Sequence, residues 1–220
     1  MHSGRAFERL ITFTDAVVAV AITLLILPII DIRGDSQEDS VWAIIGDHSS
    51  EIITFAFTFI VVAIMWRAHN RVMNSLKGYD EFIFWMNLIW LMAVVFLPWT
   101  SALYGEGIGV AAQVNNTLDT GGSGTLYWLT LAVISASGAA IVWHANRKPD
   151  LREEGESSVS RAGVRRGVIF TVSFIVLAML SLILPLLASW LPLALIPVSI
   201  VSNRRVEQKF EKEEINRGSS

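Results

Sequence analysis

Long uncharged runs alternate with short charged segments along the 220-residue chain. Six runs approach the length of about 20 residues that an α-helix needs to cross the hydrocarbon of a bilayer. An all-α membrane protein is therefore predicted, with transmembrane helices over residues 10–30, 52–70, 82–103, 125–145, 167–184 and 190–202. Three prolines (Pro185, Pro192 and Pro197) interrupt the last apolar stretch. Because proline breaks helices, a short re-entrant hairpin is the alternative to a full sixth span.

The first run contains an ionisable residue. It reads R-L-I-T-F-T-D-A-V-V-A-V-A-I-T-L-L-I-L-P-I-I from Arg9 to Ile30, with Asp15 one turn inside it. A charged group at membrane depth is costly, needs partners and marks a candidate functional site. Donors are expected at the same depth, near the ends of the first three predicted helices: Arg9, Trp66, His69, Asn70 and Asn87. Such a cluster either locks the helices together or relays protons, and the residue types allow both interpretations.

The opposite side of the first run carries a different pattern. Projection at about 100° per residue puts four positions on one face, following the spacing i, i+3, i+4 and i+7. We call this face the stripe, and its members are Val20, Thr23, Leu24 and Leu27. Asp15 points away from the stripe. From composition alone, an apolar stripe of this kind is an ordinary contact between helices, and one hydroxyl does not change that interpretation.

The charged residues predict the orientation of the spans. Apolar residues make up 53% of the chain and charged residues 17%, and the mean hydropathy is +0.52. Sixteen of the 17 lysines and arginines flank alternate ends of the predicted spans, on one side of the membrane, and only Arg33 falls on the other. Basic residues near helix ends mark the cytoplasmic side. Both termini are therefore predicted to be cytoplasmic, with residues 1–203 as one membrane domain and 204–220 as a charged cytoplasmic tail.

Two predicted outer loops, over residues 31–51 and 104–124, are acidic or rich in glycine and asparagine. An acidic vestibule concentrates cations by focusing the electric field, although ordinary solvated loops have the same composition. The chain has no cysteine, no H-E-x-x-H and no G-x-S-x-G motif, and its four histidines are scattered. We therefore expect no enzyme activity, no cofactor and no nucleic-acid partner.

Three segments carry motifs that are specific in combination. They are R-x-x-x-F-T-D at 9–15, A-I-M-W-R-A-H-N-R-V-M at 63–73, and N-L-I-W-L-M-A-V-V-F-L-P-W-T-S-A-L at 87–103. In this order they resemble the first three helices of the transmembrane protein 175 family of potassium channels. That family usually has R-x-x-x-F-S-D in its first helix, so Thr14 replaces a serine. The second half of the chain agrees with the family in topology and hydropathy only.

The resemblance implies a homotetramer of six-helix subunits in which the first helix lines a potassium pore. It implies hydrophobic constriction rings at Val20, Leu24 and Leu27, which also serve as a gate. Thr23 is then the selectivity position that favours potassium over sodium, with potassium transiently beside it. Family members often have a bulkier residue than Val20, which predicts a wider innermost constriction here. The implied structural network that holds the pore helix comprises Arg9, Phe13, Thr14, Asp15, Trp66, His69, Asn70 and Asn87.

Other functions stay open. A proton-coupled secondary transporter, or a proton pathway, would use Asp15 and His69. Transporters usually show inverted repeats and broken helices at the membrane midplane, and no repeat is visible in this sequence. An accessory packing subunit is a further alternative. We expect the partners to be potassium ions, other copies of the chain and the lipid bilayer, and the location to be the plasma membrane of a prokaryote.

Overall fold

The structure, a computed structural model, describes residues 2–30, 32, 40–114, 117–151 and 161–183. Within these ranges the chain is almost entirely helical. The helices are α1 (Arg5–Leu24), α2 (Leu27–Ile30), α3 (Val41–Asp47), α4 (Ser49–Asn74), α5 (Glu81–Val114), α6 (Thr117–Arg147) and α7 (Arg161–Ile183). Two strands of two residues, β1 (His2–Ser3) and β2 (Gly78–Tyr79), and a 3-10 turn at Pro149–Leu151 complete the described elements.

Five segments are long and apolar enough to cross a membrane, so the chain is a multi-pass membrane protein. They are Arg5–Ile30, Ser49–Asn74, Glu81–Ile108, Gly121–Arg147 and Gly163–Ile183. At about 1.5 Å per residue, the shortest of them, with 21 residues, still spans about 30 Å of hydrocarbon. The predicted sixth span (190–202) and the predicted tail (204–220) lie outside the described residues.

Most of the predicted second outer loop, residues 104–124, is helical in the structure. α5 continues to Val114 and α6 begins at Thr117. The sequence favoured a loop because glycine is a poor helix former. One of these glycines, Gly105, instead allows α5 to approach α4 closely, since a Cβ added there would lie 3.2 Å from the Cα of Glu51. The first predicted outer loop is also partly helical, because α3 and the start of α4 occupy its second half.

The core of the molecule is built around α6. Of its apolar window, 61% is buried, against 17–39% in the other four spanning segments. α7 runs antiparallel to α6, since Ser135 donates a hydrogen bond to the carbonyl of Gly167 (3.2 Å) and Thr125 donates one to the carbonyl of Ala178 (3.1 Å). A Cβ added at Gly167 would lie 2.6 Å from the Cβ of Ala139, so only glycine permits this approach.

α1 lies at the edge of this bundle, against α4 and α5. Its buried side chains, Thr14, Val18, Ala21 and Leu25, recur at helical spacing and form one face. The helix ends at Leu24, and the turn at residues 25–26 leads into the short α2 with Pro28 in its first turn. One face of α1 is thus packed, and Asp15 beside it contacts α4, whereas the side that carries Val20, Thr23 and Leu24 is exposed.

Candidate functional site

Three members of the stripe (Val20, Thr23 and Leu24) lie on the exposed side of α1, and the fourth, Leu27, is the first residue of α2. Val20 is 59% exposed, Leu24 37% and Leu27 52%, and Thr23 is exposed too. The buried face carries equally apolar residues, so hydrophobicity alone does not distinguish the two faces. They differ because only the buried face packs against α4 and α5. Exposed apolar side chains at this density need either lipid or another copy of the chain to cover them.

The Thr23 hydroxyl donates a hydrogen bond to the carbonyl oxygen of Val20, at 2.7 Å. This bond uses the only proton of the hydroxyl, so the oxygen keeps its lone pairs for another ligand. A threonine oxygen held in this way on an exposed helix face can contact a cation or a water molecule.

An open apolar groove of about 260 Å³ runs beside the stripe, between α1 and α5. Its α1 wall includes Val20 and Leu24 from the stripe together with Phe13, and Val95 contributes from α5. Phe13 lies only about 20° from Val20 on the helix, because the two positions are seven residues apart. The groove therefore extends the apolar surface of the stripe toward the start of α1.

Asp15 lies on another side of α1 and is bound by two donors from α4. Trp66 Nε1 donates to Asp15 Oδ1 at 2.7 Å, and Asn70 Nδ2 lies 3.0 Å from Oδ1 and 3.2 Å from Oδ2. Asn70 is itself fixed, since Asn74 Nδ2 donates to Asn70 Oδ1 at 2.8 Å. These charge-assisted bonds satisfy the carboxylate and fix the rotation of α1 against α4.

A second polar group joins α1 to α5 and α4. Asn87 Nδ2 donates to Thr14 Oγ1 at 3.0 Å, while Asn87 Oδ1 lies 2.8 Å from His69 Nε2. The Thr14 hydroxyl donates in turn to the carbonyl of Leu10 at 2.9 Å. The His69 ring stacks on Trp90 with 4.0 Å between centroids. Thr14, His69, Trp90 and Asn87 are all buried, so this group is closed to water in the single chain.

Two of the predicted network residues do not join these groups. Arg9 is exposed and has no hydrogen bond or ion pair within the described residues, because it lies on a side of α1 that no neighbouring helix covers. Phe13 is 55% exposed and lines the groove instead of packing beside Thr14. The predicted set thus divides into an Asp15 group, a Thr14–Asn87–His69 group and two residues on the open side of α1.

One cluster that the sequence did not single out lies where α5 begins. Asp80 Oδ2 accepts hydrogen bonds from His144 Nε2 and Lys148 Nζ, both at 2.8 Å, and Asp80 Oδ1 accepts one from the Ile83 N–H at 3.1 Å. Burial alone would raise the pKa of Asp80, but these three donors outweigh it and hold that pKa well below its ordinary range. His144 lies in the last turn of α6 and Lys148 directly follows that helix, so their spacing of four residues does not reveal the distant partner Asp80.

In the part of the chain that the structure describes, no group of three or more histidine, aspartate or glutamate side chains could hold a metal ion. The stripe therefore presents a single hydroxyl, that of Thr23, among apolar side chains. Such a surface can contact a passing ion but has no charged ligands with which to retain one.

Comparison with known proteins gives matches over the helices that carry these groups. Residues 9–98 match the profile of the family described as endosomal/lysosomal potassium channel TMEM175. A protein of Streptomyces collinus named as a potassium channel is 29% identical over 141 residues, which are 63% of this chain and 64% of that protein. A zebrafish protein named as the endosomal/lysosomal proton channel TMEM175 is 28% identical over 101 residues, which are 46% of this chain but 19% of that protein.

The fold also matches a solved structure. The crystal structure of a protein described as a lysosomal potassium-selective channel TMEM175 homolog, from Chamaesiphon minutus, superposes with a TM-score of 0.70. The match covers 91% of this chain and all of that one, at 21% sequence identity. At this identity the likeness establishes a shared fold, which agrees with the arrangement of the five described spanning helices.

Proposed function

Since this chain belongs to the transmembrane protein 175 family, we propose that it forms a cation channel that conducts potassium in preference to sodium through a pore lined by α1. The observation that carries the proposal is the division of α1 into a packed face and an exposed apolar stripe. In a homotetramer, four copies of the stripe face a common axis and are covered by one another.

The proposed mechanism is passive flux through apolar rings. Val20, Leu24 and Leu27 each form one constriction, and such constrictions also gate a pore by losing their water. An ion crosses them only after shedding part of its hydration shell. Potassium binds its water less tightly than sodium does, so apolar rings favour potassium. The exposure of all three side chains in the single chain supports this role.

Thr23 is the proposed selectivity position. Its hydroxyl oxygen is exposed, its proton is already used by the Val20 carbonyl, and its neighbours on the stripe are apolar. Four such oxygens, one from each copy, replace part of the water that a potassium ion loses between the rings. The ion then stays near Thr23 only transiently, because no charged ligand from this helix retains it.

The two polar groups on the packed side of α1 hold the pore helix in place. They connect α1 to α4 through Asp15, and to α5 through Thr14 and Asn87. The donors of these groups are matched with acceptors, so the groups fix the rotation of α1 about its own axis. In the proposed tetramer, that rotation turns the stripe toward the pore axis. In this proposal the ionisable residue of the helix is an anchor, and ions pass along the opposite side.

A proton pathway through Asp15 and His69 is the second candidate, because several vertebrate relatives are named as proton channels. The hydrogen bonds argue against a relay between these two residues. Asp15 is bound by an indole and an amide, and His69 is bound by the amide of Asn87. None of these partners exchanges protons readily at neutral pH, so the two titratable groups are not linked by a chain of proton carriers.

Flux measured on the purified protein in liposomes tests the proposal. We expect potassium efflux driven by its own gradient, a smaller sodium flux, and an oligomer mass of four chains in the same preparation. A proton-sensitive dye inside the vesicles separates the candidates. Acidification that is stoichiometrically coupled to potassium movement would indicate a transporter and not a channel. A monomer without flux would indicate an accessory subunit.

The proposed location is the plasma membrane of a prokaryote, with both termini in the cytoplasm. The ends of α4 and α6 and the starts of α1 and α5 meet at one end of the molecule. Basic residues are concentrated there, including Arg71, Lys77, Arg147 and Lys148. The positive-inside rule makes that end cytoplasmic.

A further inference from the structure

The start of α1 is tied to a distant part of the fold by contacts at one end of the bundle. β1 pairs antiparallel with β2, so that His2 lies opposite Tyr79 and Ser3 opposite Gly78. Gly4 follows with a φ of 63°, a conformation that glycine adopts without strain, and turns the chain into α1. The first turn of α1 is then held by Phe7, which is buried and lies 5.9 Å from the ring of Tyr79.

The loop that carries β2 is held in turn by the end of α6. The Lys77 N–H donates to the carbonyl of Leu151 at 2.9 Å, and Asp80 accepts from His144 and Lys148. A separate apolar core fills the space between these segments. Its buried members are Phe7, Met73, Leu76, Ile83, Ile141, Val142, Ala145 and Leu151. We name the assembly of residues 2–7, 75–80 and 144–151 the N-terminal clasp.

The clasp makes polar contacts of a kind that the part of α1 beyond Asp15 lacks. Beyond Asp15, the described contacts of α1 with its neighbours are apolar, through Val18, Ala21 and Leu25. The stripe begins at Val20, between these residues. α1 is therefore held by polar contacts near its start. At the level of the stripe, only the packing of the opposite, buried face holds it. A shift of the clasp changes the tilt of a helix whose far half has no polar tether in the described structure.

We infer that the N-terminal clasp sets the tilt of α1 and thereby the width of its constrictions, with Asp80 as the positioning residue. The inference rests on the proposed role of α1 as the pore helix. Asp80 is suited to this role because it joins both sides of the clasp. It precedes α5 and caps it through Ile83, while its other oxygen accepts from His144 of α6 and from Lys148 directly after α6. It touches neither the stripe nor the groove.

Asp80→Asn with Glu81→Gln as the matched control tests the inference. Asparagine still caps a helix, so the α5 terminus is preserved while the charge that holds Lys148 is lost. Glu81 is the adjacent carboxylate, and it is exposed. We expect Asp80→Asn to lower potassium flux in liposomes by about tenfold, the factor that corresponds to one charge-assisted hydrogen bond. Glu81→Gln should conduct as the unmodified protein does.

A spectroscopic distance separates positioning from a general loss of folding. The chain has no cysteine, so a spin label on Ile30→Cys, at the far end of α1–α2 and 61% exposed, reports only that site. Dipolar distances between copies should shift in Asp80→Asn and not in Glu81→Gln. If Asp80→Asn does not fold, Lys148→Met against Lys77→Met carries the same comparison, since Lys77 contributes its backbone N–H to the clasp and both side chains are exposed.

The outcomes separate this inference from the proposed function. Lower flux together with shifted distances in the Asp80 or Lys148 variant, and neither change in its control, supports the inference. Unchanged flux, or lower flux with unchanged distances, overturns it. An absence of potassium flux in the unmodified protein would contradict the proposed function instead. The inter-copy distances would still show whether Asp80 positions α1.

Discussion

Thr23 and Asp15 lie on different sides of one helix, and the contacts of their side-chain oxygens differ. The Asp15 carboxylate is saturated by Trp66 and Asn70. The Thr23 hydroxyl bonds only the backbone of its own helix turn and is otherwise exposed. In a membrane segment a saturated charge stabilises the fold, whereas a polar atom with free lone pairs on an exposed face is available to a ligand. At the scale of residues, we therefore propose that Thr23 contacts ions and that Asp15 stabilises the fold.

Thr23→Ala should leave potassium conduction in place and reduce the potassium-to-sodium permeability ratio. The expected reduction is about fivefold, which corresponds to about 1 kcal/mol for one lost polar contact. Thr171→Ala is the matched control, because Thr171 makes the same kind of bond to its own helix, at 2.9 Å from the Gly167 carbonyl, in α7. Reversal potentials under bi-ionic conditions give the ratio. An unchanged ratio in Thr23→Ala would remove Thr23 from the selectivity position.

Val20→Leu should reduce single-channel conductance and increase selectivity, because the added methylene narrows the proposed innermost ring. Val172→Leu provides the control, since Val172 is 53% exposed on α7, close to the 59% of Val20, but lies on another helix. Single-channel recording in a planar bilayer compares the two. Equal conductance and equal permeability ratios in Val20→Leu and the unmodified protein would show that Val20 is not a constriction.

At the scale of elements, the question is what fixes α1 in the bundle. Its packed face repeats at Thr14, Val18, Ala21 and Leu25, and two of the polar side chains on or beside that face reach α4 and α5. Apolar packing gives a helix attraction but little directional preference, whereas paired donors and acceptors define one rotation. The polar groups near the start of α1 therefore determine which residues form the stripe.

Trp66→Phe should destabilise the attachment of α1 by about 1–2 kcal/mol, because it removes one hydrogen bond to a charged acceptor while keeping an aromatic ring. Trp85→Phe is the control, since Trp85 is 53% exposed and its indole N–H has no partner within the described residues. Thermal unfolding in detergent, monitored by far-ultraviolet circular dichroism, measures the difference in stability. Equal midpoints for the two variants would show that the Asp15 group does not hold the helix.

The pH dependence of stability should reveal the charge in the clasp. The pKa of Asp80 is lowered in the folded protein, so its contribution is fully present above the ordinary carboxyl pKa of about 4 and is lost as pH falls toward the lowered value. Asp80→Asn should thus be less stable than the unmodified protein near neutral pH, and the difference should shrink as pH falls below about 4. A difference that grew below about pH 4 would contradict the assigned pKa direction.

Part of this site could be predicted from the sequence, and the limits have physical causes. Helix length and the depth of charges put Asp15, Trp66 and Asn70 at one level, and the structure brings them together. The pairing of His69 with Asn87 depends on how α4 and α5 are rotated, which hydropathy does not encode. Asp80 and His144 are 64 residues apart, so only the folded chain makes them neighbours. Gly105 and Gly124 indicated a loop because glycine is a poor helix former, whereas in the structure each lies in a helix that closely approaches a neighbouring helix.

At the scale of the whole molecule, the described helices form a bundle in which four spans, α1 among them, have only 17–39% of their apolar windows buried. α6 is the buried centre, α7 and α5 flank it, and α1 lies at the edge with the stripe unpaired. In a single chain the stripe would face lipid, where apolar side chains are stable but Thr23 has no further partner. Assembly of copies around an axis covers the stripe and gives the Thr23 oxygen access to water and ions. This is the physical reason for the proposal that the bundle is one part of an oligomer.

Cysteine modification of the stripe tests the assignment of α1 as the pore helix most directly. The chain has no cysteine, so a single Leu27→Cys at the outermost stripe position can be modified with a small cationic methanethiosulfonate reagent without background reaction. Val172→Cys on α7 is the control. We expect the reagent to block potassium current through Leu27→Cys and to leave Val172→Cys unaffected. Current that persists after complete labelling of Leu27→Cys, or equal block of both variants, would contradict the proposal that α1 lines the pore.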